Sequence, residues 1–187
     1  MTNPLLIDVP TEFESSRLLI RCPRPGDGPM FGEAVRESLP ELRPWISWAG
    51  EFPDSHWERM MREKLARYIE RAELFMLLVD KETGRFVGSS GLHRPDWRVP
   101  RMDVGYWVRS SCARRGYVTE AVQRIADLAF DVLHVQRLEI RAESENERSA
   151  AVARRCGFEL EATLRKFDRH HATNELIDLD VYVRFAK

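Results

Sequence analysis

From Ser110 to Ala121 the chain reads SSCARRGYVTEA, with one glycine after two arginines and an amphipathic run beyond it. The first turn of a helix carries unpaired N–H groups, and its dipole favours negative charge there. Gly116 permits a positive φ or a close backbone approach. Arg114 and Arg115 add charge. Together these features suit a pyrophosphate. A plain strand-to-helix turn has the same features, so this segment alone leaves both readings open. It is neither a Walker A loop nor a G-x-G-x-x-G fingerprint.

The elements that must position this junction follow from hydrophobic period and turn chemistry. SSRLLIRCP (15–23) reads as a strand and Met30–Ser38 as a helix, followed by a proline-broken aromatic loop over 39–55. A helix capped by Asp54 or Ser55 runs to about Ala72. LFMLLVD (74–80) and RFVGSSGL (85–92), joined by KETG, predict an antiparallel hairpin, and MDVGYWVR (102–109) a further strand. Val118, Val122, Ile125, Ala129 and Leu133 recur at helical spacing from Tyr117 onward. RLEIRAE (137–143) alternates as a strand, ENERSAAVARRCGF is a helix stopped at Gly157, and FELEATLR and LIDLDVYVRF close the chain as strands. The crossover from 102 to 143 demands a parallel neighbour within an otherwise antiparallel set. The fold class is therefore α/β (α+β): a mixed, mostly antiparallel central sheet with helices on both faces.

The chain has 187 residues, 43% of them hydrophobic, which fits one globular domain over 1–187. A net charge of −1 gives no global field toward nucleic acid. Only Lys64, Lys81, Lys166 and Lys187 are lysines, an arginine bias that phosphate contacts or codon composition would each produce. Cys22, Cys112 and Cys156 lie far apart without C-x-x-C, which argues against a disulfide framework and a zinc site. Without a signal-like N-terminus or a membrane-length apolar run, a cytoplasmic setting is expected, with no membrane and no direct nucleic-acid partner.

Four motifs occur in order: Gly105-Tyr106-Trp107 on a central strand, Gly116-Tyr117-Val118-Thr119-Glu120-Ala121 at a helix start, Asn146 and Ser149 in the next helix, and Gly157-Phe158 followed by Glu161 and Leu164-Arg165. With RLLIR (17–21) and LRPWISWA (42–49), they make the chain resemble the GCN5-related N-acetyltransferase (GNAT) superfamily. The similarity is sharpest to its ribosomal-protein-serine/alanine N-terminal acetyltransferase branch and covers essentially the whole chain. The loop departs from the superfamily pattern at Ala113, Arg114 and Val118. Gly116 is retained.

The resemblance implies acetyl transfer from acetyl-CoA to a primary amine by direct attack in a ternary complex. The expected acceptor is the α-amine of a ribosomal protein. A small amine such as an antibiotic or polyamine, or an idle acyl-CoA-binding role, stands as the alternative. No metal is expected, and the branch's habit of dimerising makes a homodimer an expectation. For the cofactor, the resemblance implies backbone N–H groups from Ala113 through Arg114, Arg115, Gly116 and Tyr117 to Val118, with Asn146 and Ser149 on the pantetheine arm. The oxyanion would meet backbone N–H near Trp107 and Val108. Ser149 replaces the tyrosine by which many members protonate the thiolate; helix capping is its other reading, as for Asn146. An α-amine has a pKa of about 7.7–8.0 against about 10.4 for lysine, so an N-terminal acceptor needs only a weak base. Asp103, Glu161 and Asp168 are the candidates. His93 titrates in the right range and is placed with Trp45 and Trp48 at the acceptor site. Loop aromatics, Phe52 included, can equally plug a core. Cys112 and Cys156 read as packing residues.

Overall fold

The computed structural model describes residues 3–187. Its elements are β1 (Glu12–Glu14), β2 (Leu18–Arg21), α1 (Gly28–Leu42), α2 (Asp54–Ile69), β3 (Leu74–Asp80), β4 (Phe86–Asp96), β5 (Arg101–Val108), α3 (Tyr117–Asp127), β6 (Arg137–Glu143), α4 (Glu147–Arg155), β7 (Glu159–Arg169) and β8 (Leu176–Phe185). The strands form one sheet in the order β1-β2-β3-β4-β5-β6-β8-β7. Only the β5–β6 pair is parallel; every other pair is antiparallel. This is the mixed sheet that the crossover demanded.

Two cores lie on the two faces. Along β3, Leu74, Met76 and Leu78 enter the core under α3 and α4, while Phe75 and Leu77 enter the core under α1 and α2. That split explains why LFMLLVD reads as an uninterrupted apolar run: the strand is covered on both sides. In the second core Phe31 is the hub, with ring centroids of Trp57 and Trp107 each 5.5 Å away and Phe86 at 5.7 Å.

Three boundaries differ from the sequence reading. Helix α1 runs on past Ser38 through Pro40, because Leu39 and Leu42 are buried and their packing outweighs a proline in the last turn. Strand β4 continues beyond Leu92 to Asp96 by pairing with β5. Strand β1, too short to carry a period, is held by β2 alone. Beyond Asp127 helix α3 continues as a π-helical turn over Leu128–Val132. No helix among the described residues is long and apolar enough to cross a membrane.

The start of α3 is tied to the sheet by one short bond. The Tyr117 hydroxyl donates to Asp80 Oδ2 at 2.6 Å at the end of β3, and Thr83 donates to the other carboxylate oxygen from its N–H and its hydroxyl. The Tyr117 bond, followed by the Thr83 bonds, holds the Asp80 carboxyl at about 2. An unfolded aspartate titrates near about 3.9, so this stabilisation is present above about pH 4 and is lost as pH falls toward about 2. Tyr117→Phe should therefore lower the urea midpoint near pH 6, and its difference from the parent should shrink as pH drops from about 4 to about 2. A difference independent of pH across that window would contradict this assignment.

Candidate functional site

β5 and β6 pair over only three positions, Arg101↔Arg137, Met102↔Leu138 and Asp103↔Glu139. Past them β5 stays with β4 as far as Val108, and β6 stays with β8 as far as Glu143. The sheet therefore splits, and a cleft of about 1000 Å³ runs through the opening. Val104–Val108 and Ile140–Glu143 line its two edges. At the end of β5 the Arg109 N–H donates to the Val87 carbonyl on β4. The two-residue period of a strand then turns the N–H groups of Val108 and Tyr106 toward the split, and that of Trp107 into β4. Of the expected pair, Val108 is thus the open donor and Trp107 is not.

One mouth of the cleft is the turn before α3. Gly116 is its N-cap residue at φ 80°, and Arg114 sits at φ 63°. A Cβ at Gly116 would meet only Arg17 Nη2 at 3.5 Å, so the glycine serves the turn rather than a close approach. Among the described residues, the backbone N–H groups of Arg114 through Thr119 have no acceptor. Ala113 was expected in this row, but its N–H donates to the Ser110 carbonyl at 3.1 Å. Thr119 joins the row instead. Val118 is 8% exposed with its side chain in the core beneath, so its bulk points away from the mouth. Arg114 lines the cleft with Arg148 and Arg155; Arg115 does not.

Arg17 fixes this turn from outside. It donates to the Arg115 carbonyl at 3.0 Å, lies 4.7 Å from the Tyr117 ring centroid and pairs with Glu120 at 2.7 Å. Burial works against ionising Glu120, yet the bonds from Ser15 and Arg17 keep its carboxyl below its usual value. The negative charge in the first turn is thereby matched by a cation and does not oppose an anion at the helix start.

Inside the split stands a pair that sequence reasoning half missed. The Tyr106 hydroxyl lies 3.0 Å from both the Ser149 carbonyl and the Ser149 Oγ. Burial pushes the Tyr106 phenol well above its usual value, so it stays protonated as a donor. Alternation along MDVGYWV put Tyr106 on the face of Val104 and Val108, which is the signal that would have found it. Asn146 caps α4, its side chain accepting the Ser149 N–H at 3.0 Å. The capping reading of Asn146 therefore holds, while the Ser149 hydroxyl is free of that duty. Cys112 is buried, and burial pushes the Cys156 thiol up to about 11, which leaves it unreactive.

The other mouth carries Trp45, Glu41, Asp168 and His171. It is built by docking the β7–β8 hairpin on the α1–α2 loop: His170 Nε2 donates to the Pro44 carbonyl at 2.9 Å and His171 Nε2 to the Arg43 carbonyl at 2.8 Å. Glu143 stands beside these stacked rings, and the trio acts as a clasp. Of the acceptor-side candidates, the structure brings Trp45 and Asp168 together here and separates five others. Trp48 turns back onto Phe31, Trp107 and Trp57, and Phe52 stacks on His56 at 4.2 Å, so both lean on the aromatic cluster from outside and keep one side exposed. Asp103 is buried outside the cleft lining against Arg94 and 3.6 Å from Arg141; burial pushes its carboxyl up against the pull of both arginines. Glu161 is bound through both oxygens by Arg137, which lowers its carboxyl. Neither of these carboxylates is free to act on a substrate. His93 lies behind the lining, its Nδ1 2.9 Å from Glu73 Oε1.

Comparison with known proteins matches residues 17–159 to the model of the acetyltransferase (GNAT) domain. An N-acetyltransferase of Bacillus licheniformis, p20, is 30% identical over 112 residues, covering 60% of this chain and 61% of that relative, under two thirds of its length. The "Putative ribosomal N-acetyltransferase YdaF" of Bacillus subtilis (strain 168) is 28% identical over 148 residues, 77% of this chain and 79% of YdaF. Among solved structures, the ribosomal L7/L12 alpha-N-protein acetyltransferase RimL in complex with coenzyme A superposes with a TM-score of 0.85 at 17% identity, covering 95% of this chain and 97% of RimL. That likeness shows the fold, and the family match over residues 17–159 shows the family. With its split sheet and its open row of amides before α3, this chain belongs to the GNAT acetyltransferase family.

Proposed function

We propose that residues 1–187 form a single acetyltransferase domain that moves the acetyl group of acetyl-CoA to the α-amine of a protein N-terminus, a ribosomal protein being the acceptor class. The observation that carries this reading is the cleft itself. It joins a row of unpaired backbone donors at one mouth to an aromatic and acidic mouth on the other side of the sheet. The names of YdaF and RimL, both ribosomal acetyltransferases, support the acceptor class.

In this reading the N–H groups of Arg114 to Thr119, with the Arg114 and Arg155 guanidiniums, hold the pyrophosphate. The Asn146 amide nitrogen bonds the pantetheine arm. The Val108 N–H faces the acetyl oxygen and stabilises the negative charge that grows there on attack. The acceptor enters past Trp45, where Asp168 and Glu41 favour a cationic amine over an anionic one. Ser149 Oγ passes its proton to the departing thiolate, and the Tyr106 hydroxyl, 3.0 Å from Oγ, turns its hydrogen from the Ser149 carbonyl to stabilise the developing alkoxide. The arginines around Asp103 and Glu161 remove those two carboxylates from the amine's reach, which leaves Asp168 as the acidic group on the substrate's path.

Three measurements test it. A short peptide with a free α-amine should release free thiol from acetyl-CoA, and the same peptide with a blocked α-amine should not. Equal release from both, or transfer to small polyamines alone, would overturn the acceptor assignment. Gly116→Val forces a β-branched residue to positive φ at a cost of about 1–3 kcal/mol, so the acetyl-CoA Kd by calorimetry should rise about tenfold or more. Ser149→Ala should lower kcat about 10²-fold with the acetyl-CoA Kd nearly unchanged; an unaltered kcat would reduce the serine to a helix residue.

A further inference from the structure

His93 is the one histidine on the acceptor face of the sheet whose ring reaches β5. It pairs across the strands with Asp103, and its imidazole lies over Gly105. A Cβ at Gly105 would stand 2.9 Å from His93 Nε2 and 3.0 Å from Cδ2, so the ring occupies the space that any side chain there would fill. Gly105 itself lines the cleft. The far edge of β5 is the open edge of the split, so the imidazole, though outside the lining, is separated from the cleft only by Gly105, which has no side chain to block a bridging water.

The other ring nitrogen is committed. His93 Nδ1 lies 2.9 Å from Glu73 Oε1, and Glu73 is clamped by Lys64 Nζ at 2.7 Å and Arg67 Nε at 2.9 Å from α2. Burial works against ionising Glu73, but the bonds from His93 and Lys64 more than offset it and hold the carboxyl at about 2. An ionised carboxylate only accepts, so Nδ1 must carry the hydrogen and a neutral ring leaves its lone pair on Nε2. Among the described residues no group bonds Nε2. The neighbouring charges are paired: Lys64 and Arg67 both hold Glu73, while Arg94 and Arg141 both hold Asp103, which faces the ring from β5, and Arg141 is shared with Glu139.

We propose that His93 is the catalytic base of the transfer, taking a proton from the acceptor amine at Nε2, with Glu73 as the positioning residue that fixes its tautomer. This rests on the amine-acceptor reading above and names the group that reading left open. The ammonium loses one proton to Nε2, which returns it to solvent. The freed nitrogen lone pair forms the C–N bond as the carbonyl pair moves onto oxygen. Collapse breaks the C–S bond with its pair on sulfur. The second proton lost by nitrogen balances the one sulfur gains through Ser149.

The test is a pH profile of kcat/KM on a peptide acceptor with a free α-amine. At about pH 7, His93→Gln should lose about 10²-fold or more while acetyl-CoA affinity stays within about twofold. The deficit should shrink toward about pH 9, where the α-amine is neutral unaided, and added imidazole should restore part of the rate. Glu73→Gln should lower kcat/KM, because a neutral amide holds the hydrogen on Nδ1 less firmly than a carboxylate does. Glu73→Asp should recover part of the loss. A His93→Gln enzyme within about threefold of the parent, with the same profile, overturns the proposal while leaving the acceptor reading intact. Absence of transfer by the parent enzyme overturns the acceptor reading and this one with it. A folded Glu73→Gln enzyme with the parent's kcat/KM removes Glu73 from its role.

Discussion

Everything at this site depends on how soon β5 and β6 part. Three residue pairs of parallel ladder hold them, and beyond Asp103↔Glu139 each strand keeps only its outer neighbour. A strand edge without a partner is ordinarily a liability, because it presents unpaired backbone donors and acceptors. Here the edge is internal. It faces a cleft lined by two helices and a hairpin, so its free amides point at a ligand-sized space and not at another chain. The two-residue period of β5 then does two jobs at once. Val108 and Tyr106 turn their N–H groups to the cleft, while the Trp107 side chain goes to the aromatic core around Phe31 that holds the strand in place.

Around that opening, charge is arranged by cancellation. Arg17 matches Glu120 beside the turn, Arg137 takes Glu161, and Arg94 and Arg141 take Asp103. Most acidic groups near the split therefore carry no free charge toward a substrate. Among the described lining residues without an ion pair are Arg114, Arg148 and Arg155, with the row of amides at one mouth, and Glu41, Asp168 and Arg169 at the other. An anion and a cation would each find its own side of the sheet, which is the arrangement a two-substrate transfer needs.

The clasp of His170 and His171 on the carbonyls of Pro44 and Arg43 gives the acceptor mouth its wall. It links segments more than 120 residues apart in the chain. No period or spacing in the sequence marks such a contact, because backbone carbonyls are present at every residue and only the fold chooses which are met. The same holds for Tyr106 and Ser149, joined across 43 positions.

Local chemistry was legible from the chain alone. The alternation of RLEIRAE, the helical stripe from Tyr117, the hairpin of LFMLLVD and RFVGSSGL and the glycine at the start of α3 follow from periods and dihedral preferences that act within a few residues. The parallel crossover and the family resemblance followed from their order. Which titratable groups are available did not. Asp103, Glu161 and Asp168 look alike as sequence, and their difference lies in the arginines that reach two of them from other strands. Trp45 and Trp48 sit three residues apart in one loop, yet one lines the cleft and the other leans on the aromatic cluster around Phe31. Even the row of unpaired amides before α3 moved by one residue, since Ala113 had already given its N–H to Ser110. Local propensity determined where the elements and the turn lie. The long-range partner of each polar group, decided only when the strands came together, determined which of them can do chemistry.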